Sequence, residues 1–230
     1  SKKYAKKLEE LQAAPASYHE KFAALLAADK KMNLVRIFPD KGCDIMKKKV
    51  ISVENSERCA EVVPVAGGGA YYSFKEKSNY FFYSYGADLY FTEDKFYGGS
   101  AFPVGNTFNE GIISEIGDVA LETLDLESEP FKFLVENDPK PNMIEMKKFG
   151  LKLQMGITSG EFLYSTAAPL KLNSVYVLRS IAYKPFWAIN RQRRAMIDIK
   201  GTNKDIFVAF KAVGRENDGS VILLWKQLKK

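Results

Sequence analysis

The chain has 230 residues, of which 46% are hydrophobic and 27% are charged, and its net charge at pH 7 is +6. This length and apolar content predict one large β-rich domain or two small ones, with a sizeable hydrophobic core. No run of residues approaches the ~20 apolar positions that a transmembrane helix needs, which excludes a helical membrane span.

Aromatic residues are abundant, with 16 Phe, 12 Tyr and 2 Trp. Because such side chains favour strands, we predict a mainly β fold, an antiparallel meander that forms a curved sheet or a barrel-like structure, with two N-terminal α-helices. We expect residues 1–31 to form a helical pair packed on the sheet and residues 32–230 to form a single β-rich domain.

The N-terminal region has the apolar spacing of two short helices. One face of the first helix is apolar at Tyr4, Leu8 and Leu11. Pro15 disfavours a helical residue before it and should end that helix. Ser17 and Glu20 fit a capping box for a second helix, which should end near Ala28. The lysines of the first helix are compatible with an anionic partner or a membrane surface, although a solvated helix face is favoured.

Cys43 and Cys59 are the two cysteines, and neither belongs to a CxxC motif. A tetrahedral metal site needs four ligands and the one histidine is His19, so we expect no metal and no other cofactor. The cysteines are equally compatible with a disulfide and with two free thiols. A disulfide would favour an extracytoplasmic location, and a thiol titration of the denatured, unreduced protein distinguishes the two states.

Residues 71–97 are rich in Tyr and Phe, and turn-forming residues divide them into four short predicted strands. Tyrosine and tryptophan rings offer an apolar face and a polar tip, which suit sugars and aromatic ligands. The candidate ligand-binding residues are Tyr80, Tyr83, Tyr85 and Trp187. Cross-strand aromatic pairing within the sheet is the favoured alternative for these rings.

Three segments in the middle of the chain are predicted as strands, the first because it follows a predicted tight turn at Gly117-Asp118 and the other two because apolar residues alternate in them. They are residues 119–124, 131–135 and 151–155. The stretch 137–142 contains two prolines and no apolar residue, which predicts a loop within one domain. Residues 175–183 form a further predicted strand.

The last segment, Asp205 to Leu228, is predicted as a β-hairpin with its turn at Asp218-Gly219. Both arms are apolar at nearly every position, so we expect both faces to be covered. The hairpin should therefore be a central strand pair of a large sheet, with Trp225 largely buried.

Catalytic motifs are weak in this sequence. His19 lies in a predicted helix and is expected to be a surface or packing residue. Residues 156–160 resemble a nucleophile elbow with Thr158 in place of serine, but that motif needs a following helix and a later histidine, so we predict a hairpin turn. Nine acids lie within residues 107–138, and carboxylates from neighbouring strands could converge there.

A basic cluster follows Trp187 and consists of Arg191, Arg193 and Arg194. Aromatic rings beside arginines bind single-stranded nucleic acid by stacking and phosphate contacts. Charge that protects an edge strand accounts for the same arginines equally well. Nucleic acid is therefore the least favoured partner.

These observations favour a non-catalytic binding module for a small apolar or sugar-like ligand, or for a protein partner. A carboxylate-dependent hydrolase is the alternative, and a nucleic-acid-binding protein is the second alternative. An enzyme predicts a concave site with converging carboxylates, whereas a binding module predicts an aromatic-lined pocket or an exposed flat patch.

Overall fold

The structure is a computed structural model that describes residues 10, 12–40, 69–75, 77, 87–99, 109–189 and 194–229, with only the backbone described for 185–189 and 194–197. Helices α1, α2, α3 and α4 span Ala16–Lys21, Ala23–Ala28, Glu129–Glu136 and Met143–Met155, and a 3-10 helix spans Leu121–Thr123. Strands β1 to β11 span, in chain order, Met32–Ile37, Tyr71–Tyr72, Leu89–Thr92, Lys95–Gly98, Asn109–Gly117, Ile157–Ser159, Phe162–Tyr164, Ala167–Pro169, Val175–Ile189, Arg194–Arg215 and Val221–Leu228.

The described strands form a mainly antiparallel β structure, as predicted. A five-stranded sheet has the order β1-β11-β10-β9-β5, and we call it the central sheet. A four-stranded sheet has the order β2-β3-β4-β8, and we call it the covering sheet; β6 and β7 pair as a separate hairpin. All strand pairs among the described residues are antiparallel. Closure into a barrel stays a prediction.

The terminal hairpin is confirmed, and it lies inside the central sheet. Its strands β10 and β11 pair with each other, while β9 and β1 flank them. The turn contains Gly219 at φ +85°, a backbone conformation that glycine adopts without steric cost. The amide of Gly219 donates to the carbonyl of Glu216 at 3.0 Å. Trp225 is buried as predicted, with 1% of its surface exposed.

Both faces of this hairpin are covered, which explains its nearly continuous apolar sequence. In β10, Val208 and Phe210 face the covering sheet, where they join one hydrophobic core. Phe207 and Ala209 point to the opposite face and join a second core that the helices cover. Alternate side chains of one strand therefore hold two layers on the central sheet.

Cross-strand and cross-layer ring contacts dominate the described part of the aromatic segment. Tyr71 and Tyr90 are opposite residues of β2 and β3, and their rings stack with centroids 4.5 Å apart. Phe96 of β4 crosses to the central sheet and meets Phe210 at 5.3 Å. Phe210 also stacks on Tyr176 at 4.9 Å. For these rings the pairing alternative, rather than a ligand cleft, is the observed arrangement.

The three strands predicted in the middle of the chain are wrong. Residues 119–124 form a loop and a 3-10 helix, 131–135 lie in α3 and 151–155 lie in α4. In α3 the buried side chains Phe131 and Leu134 are three residues apart, which is a helical spacing. Short apolar runs satisfy both periods, so alternation alone misled the prediction.

Two helices near the N-terminus are present as predicted, although both lie within residues 16–28 and most of the first predicted helix lies outside the described residues. The capping box is not formed, because α1 already begins at Ala16 and Ser17 lies inside it. Tyr18 docks α1 on the sheet: its hydroxyl donates to Glu216 at 3.1 Å. A Cβ atom at Gly214 would lie 1.9 Å from that hydroxyl, so a larger residue there would displace the Tyr18 ring from this contact.

Phe210→Ala tests the contact between the two sheets. Because Phe210 is fully buried among aromatic rings, its truncation should cost ~3–5 kcal/mol of unfolding free energy. Val119→Ala, at a partly exposed loop position, should stay within about 0.5 kcal/mol. Urea unfolding curves of both variants measure these losses, and similar small losses in both would show that the interface is loosely packed.

Candidate functional site

The predicted site residues fall mostly outside the part of the chain that the structure describes. Tyr80, Tyr83, Tyr85, Arg191 and Arg193 lie outside it, as do both cysteines. Trp187 lies on β9 and Arg194 begins β10, and both are described only as backbone. The ligand-binding and basic-cluster assignments of these residues therefore stay predictions.

A different set of residues surrounds a surface pocket of about 190 Å³ beside β1, which we call the Trp225 pocket. Its walls come from the segment before α1, from β1, from β2 and the residues after it, and from β11. The lining residues are Gln12, Ala13, Asn33, Leu34, Val35, Tyr72, Lys77 and Trp225. The pairing of β1 with β11 brings these distant residues together, and it places Asn33 opposite Trp225.

Aromatic rings form the apolar part of this pocket. The rings of Tyr72 and Trp225 meet edge to face, with centroids 6.0 Å apart. The indole Nε1 of Trp225 is buried and has no hydrogen-bond partner among the described residues. An unpaired buried donor carries a desolvation cost of about 1–3 kcal/mol, which an acceptor atom placed against it would relieve.

Polar side chains form the rim of the Trp225 pocket. The Lys77 ammonium donates to Asn33 Oδ1 at 3.0 Å and lies 5.9 Å from the centre of the Trp225 ring, within cation–π range. Lys77 has a left-handed backbone with φ +51°, which is uncommon outside glycine. Gln12 donates from Nε2 to the carbonyl of Gly69 at 3.4 Å. The rim thus combines one cation with two amide groups.

Sequence patterns had identified Trp225 as a core residue but not as part of a pocket. Among the pocket residues, Asn33 is the one whose place in the sequence could have indicated a site. It shares the face of β1 that Val35 and Ile37 bury, so it is a polar residue at an apolar position of a strand. Lys77 and Gln12 gave no such signal, because they lie outside any regular strand.

A second polar group, which we call the Arg179 cluster, lies on the helix-covered face of the central sheet. Its members are Glu110, Lys140, Arg179, Tyr183 and Asp205. Arg179 is fully buried and binds Asp205 through two bonds, from Nε at 2.8 Å and from Nη2 at 2.7 Å. Its Nη1 donates to the carbonyls of Leu134 and Asn137. This arginine therefore joins the sheet to the end of α3.

Glu110 is the chemically unusual member of the Arg179 cluster. It is 8% exposed, and neither of its carboxylate oxygens has a partner among the described residues. Burial raises the pKa of Glu110 to about 7, and the cations of Lys140 and Arg179 only partly oppose this shift. Burial also lowers the pKa of Lys140, whose backbone amide donates to the Tyr183 hydroxyl at 2.9 Å.

A third polar group, centred on Asp88, joins the central sheet to the covering sheet. Asp88 is fully buried and accepts from the Ser180 hydroxyl at 2.6 Å and from the Ser73 hydroxyl at 3.1 Å. It also accepts from the amide of Phe74 and forms an ion pair with Lys204. With its oxygens occupied and enclosed, Asp88 fixes the two sheets rather than offering a reactive group.

His19 and the elbow-like motif, which resemble catalytic groups in sequence, do not lie in a catalytic arrangement among the described residues. His19 is exposed on α1. Residues 157–159 form β6 and the chain turns at 160–161 into β7, so the elbow-like motif lies in a hairpin but forms its first strand rather than the predicted turn. The described residues contain no group of three or more His, Cys, Asp or Glu that could hold a metal ion. None of the described helices is long and apolar enough to cross a membrane.

Comparisons with known proteins assign no family to the chain. No family model, no curated protein and no solved structure matches it. Function is therefore inferred from the arrangement of the side chains alone.

Glu110→Gln should change the pH dependence of stability. The unfolded chain loses this proton near pH 4.5 and the folded chain near pH 7, so the folded state holds the extra proton between them and its stability falls as the pH rises. Above that window the charged carboxylate costs on the order of 3 kcal/mol. The variant should be the more stable protein at about pH 8 and should match the wild type near pH 4.5.

Urea unfolding across this pH range gives the difference between variant and wild type. Glu127→Gln, at an exposed loop position, is the matched control and should leave the shape of the curve unchanged. A constant difference between Glu110→Gln and wild type at all pH values would show that Glu110 does not titrate in this window.

Proposed function

We propose that this protein is a non-catalytic binding module that holds a small sugar-like ligand in the Trp225 pocket. The observation that carries the proposal is a pocket whose lining combines the aromatic residues Tyr72 and Trp225 with the polar side chains of Asn33 and Lys77. An apolar floor with a few converging polar groups is the usual composition of a ligand site.

The chemistry of the pocket matches a ring that carries hydroxyl groups. Aromatic rings pack against the apolar C–H face of such a ring. The Asn33 amide and the Lys77 ammonium supply hydrogen-bond groups for hydroxyl or ring oxygens. At about 190 Å³ the pocket is smaller than the ~300–1,000 Å³ typical of drug-sized ligands, so a single ring suits it better than a long chain.

A binding role is favoured over catalysis by the residues around the pocket. The described lining residues include no Asp, Glu, His, Ser or Cys, so they offer no carboxylate pair and no activated nucleophile. Elsewhere Asp205 is held by Arg179 and Asp88 by Lys204, whereas Glu110 has no partner among the described residues but is enclosed, with 8% of its surface exposed. The hydrolase is therefore the second candidate.

Fewer observations support the two remaining alternatives, a protein partner and nucleic acid. The pocket is concave and small, which favours a small molecule over a protein partner. A nucleic-acid role depends on Arg191, Arg193 and Arg194, of whose side chains nothing is described.

Tryptophan fluorescence tests the proposal directly. The chain has two tryptophans, so Trp187→Phe leaves Trp225 as the sole emitter. A panel of monosaccharides and their methyl glycosides is titrated against this variant, after circular dichroism has shown that it is folded. We expect at least one sugar to change the Trp225 emission saturably, because Trp225 lines the pocket and a bound ligand changes the surroundings of its ring.

Rim variants in the same background locate the binding site. Lys77→Met or Asn33→Leu should weaken that sugar about tenfold or more, because each removes a hydrogen-bonding group. Lys95→Met removes an exposed lysine on the covering sheet and should leave the affinity unchanged. No emission change with any sugar, or equal effects of the rim and control variants, would reject the Trp225 pocket as a sugar site.

A further inference from the structure

Helix α4 carries a line of exposed apolar side chains on the side away from the sheet. Ile144, Leu151 and Met155 are 64%, 61% and 81% exposed. They are separated by seven and four residues, so they lie along one face of the helix. The opposite face of α4 contacts the molecule and includes the buried Leu153.

A fourth exposed apolar side chain lies just beyond the helix, on the hairpin of β6 and β7. Leu163 of β7 is 59% exposed. It lies beside the end of α4, because a Cβ atom at Gly156 would be 2.8 Å from Leu163 Cδ1. Four of the six large apolar side chains that are exposed among the described residues therefore belong to this region. We call Ile144, Leu151, Met155 and Leu163 the α4 ridge.

Three lysines flank the helical part of the α4 ridge. Lys147, Lys148 and Lys152 are all exposed, and Glu145 is the only acidic residue of the helix. By helical spacing Lys148 lies on the ridge line between Ile144 and Leu151, while Lys147 and Lys152 lie on either side of it. Glu145 pairs with Lys148 at 3.0 Å, and the helix as a whole has a net charge of +2.

We propose that the α4 ridge docks on an anionic membrane surface. Apolar side chains that enter the headgroup region, with lysines beside them that reach lipid phosphates, are the features of an interfacial helix. The apolar line extends over both a helix and a hairpin, which suits a broad surface.

The position of Lys148 favours a membrane over a groove on another protein as the partner of the α4 ridge. A groove that accepted Ile144 and Leu151 would also bury the ammonium of Lys148, whereas a membrane lets its stem lie along the apolar boundary and its ammonium remain at the phosphates. This proposal is independent of the Trp225 pocket, because none of the ridge residues lines that pocket.

Sedimentation with lipid vesicles tests the proposal. The full chain is mixed with phosphatidylcholine vesicles and with vesicles in which about one third of the lipid is phosphatidylglycerol. We expect binding to the anionic vesicles only, with a partition coefficient that falls as salt is added, because salt screens the lysine charges.

Two variants separate the apolar and the charged contributions. Leu151→Ser with Met155→Ser should lower the partition coefficient about tenfold or more, since both side chains leave the bilayer boundary. Lys147→Gln, Lys148→Gln and Lys152→Gln together should lower it by about fivefold per lysine. The matched control replaces Lys30, Lys31 and Lys95, which are exposed elsewhere, by Gln and should retain most of the binding.

The vesicle experiment has outcomes that support the docking surface and outcomes that overturn it. Loss of binding in both α4 variants, with binding kept by the control and unfolding midpoints unchanged, supports the docking surface. Absence of binding to anionic vesicles, or equal losses in the α4 and control lysine variants, overturns it. Binding of the ridge to an acidic protein without vesicle binding would also overturn the membrane proposal.

Discussion

The burial of β10 on both of its faces is the constraint on which the rest of the structure depends. Successive residues of this strand point to opposite faces and join different hydrophobic cores, as Phe207 and Val208 do. A slip of one residue would exchange the two sets of side chains, so the register of β10 with β9 and β11 sets the position of both covering layers. The helices and the covering sheet bury their apolar faces against the central sheet, in which β10 is the middle strand.

The same alternation continues into the polar end of the sheet. Lys204 and Asp205 are successive residues of β10, and Arg179 and Ser180 are successive residues of β9. On one face Lys204 and Ser180 meet Asp88 beneath the covering sheet. On the other face Arg179 binds Asp205 and the end of α3. These ionic contacts account for the charged residues that interrupt two otherwise apolar strands, and they leave the Trp225 pocket as the better candidate for ligand binding.

The sequence predicted the terminal hairpin, which has a distinct turn signal, and missed two helices with ambiguous local patterns and a pocket formed by distant residues. Asp218-Gly219 between two apolar runs was sufficient for the terminal hairpin and for the burial of Trp225. Helices α3 and α4 were missed because short apolar runs fit both periods, although Asn142, which caps α4 by accepting the amide of Glu145, is a typical helix start. The pocket could not be predicted, since its walls unite residues as distant as Gln12 and Trp225, and no local pattern specifies which strands pair.

Native-state hydrogen exchange tests the central claim most directly. If β10 and β11 form the core of the fold, the amides of Val208, Phe210 and Leu223 should exchange only through global unfolding, with an exchange free energy equal to the unfolding free energy from urea. The amides of the peripheral helix α4 should exchange at a lower free energy. Faster exchange in β10 and β11 than in α4 would contradict the account, because the strand pair would then open while the layers that depend on it remained folded.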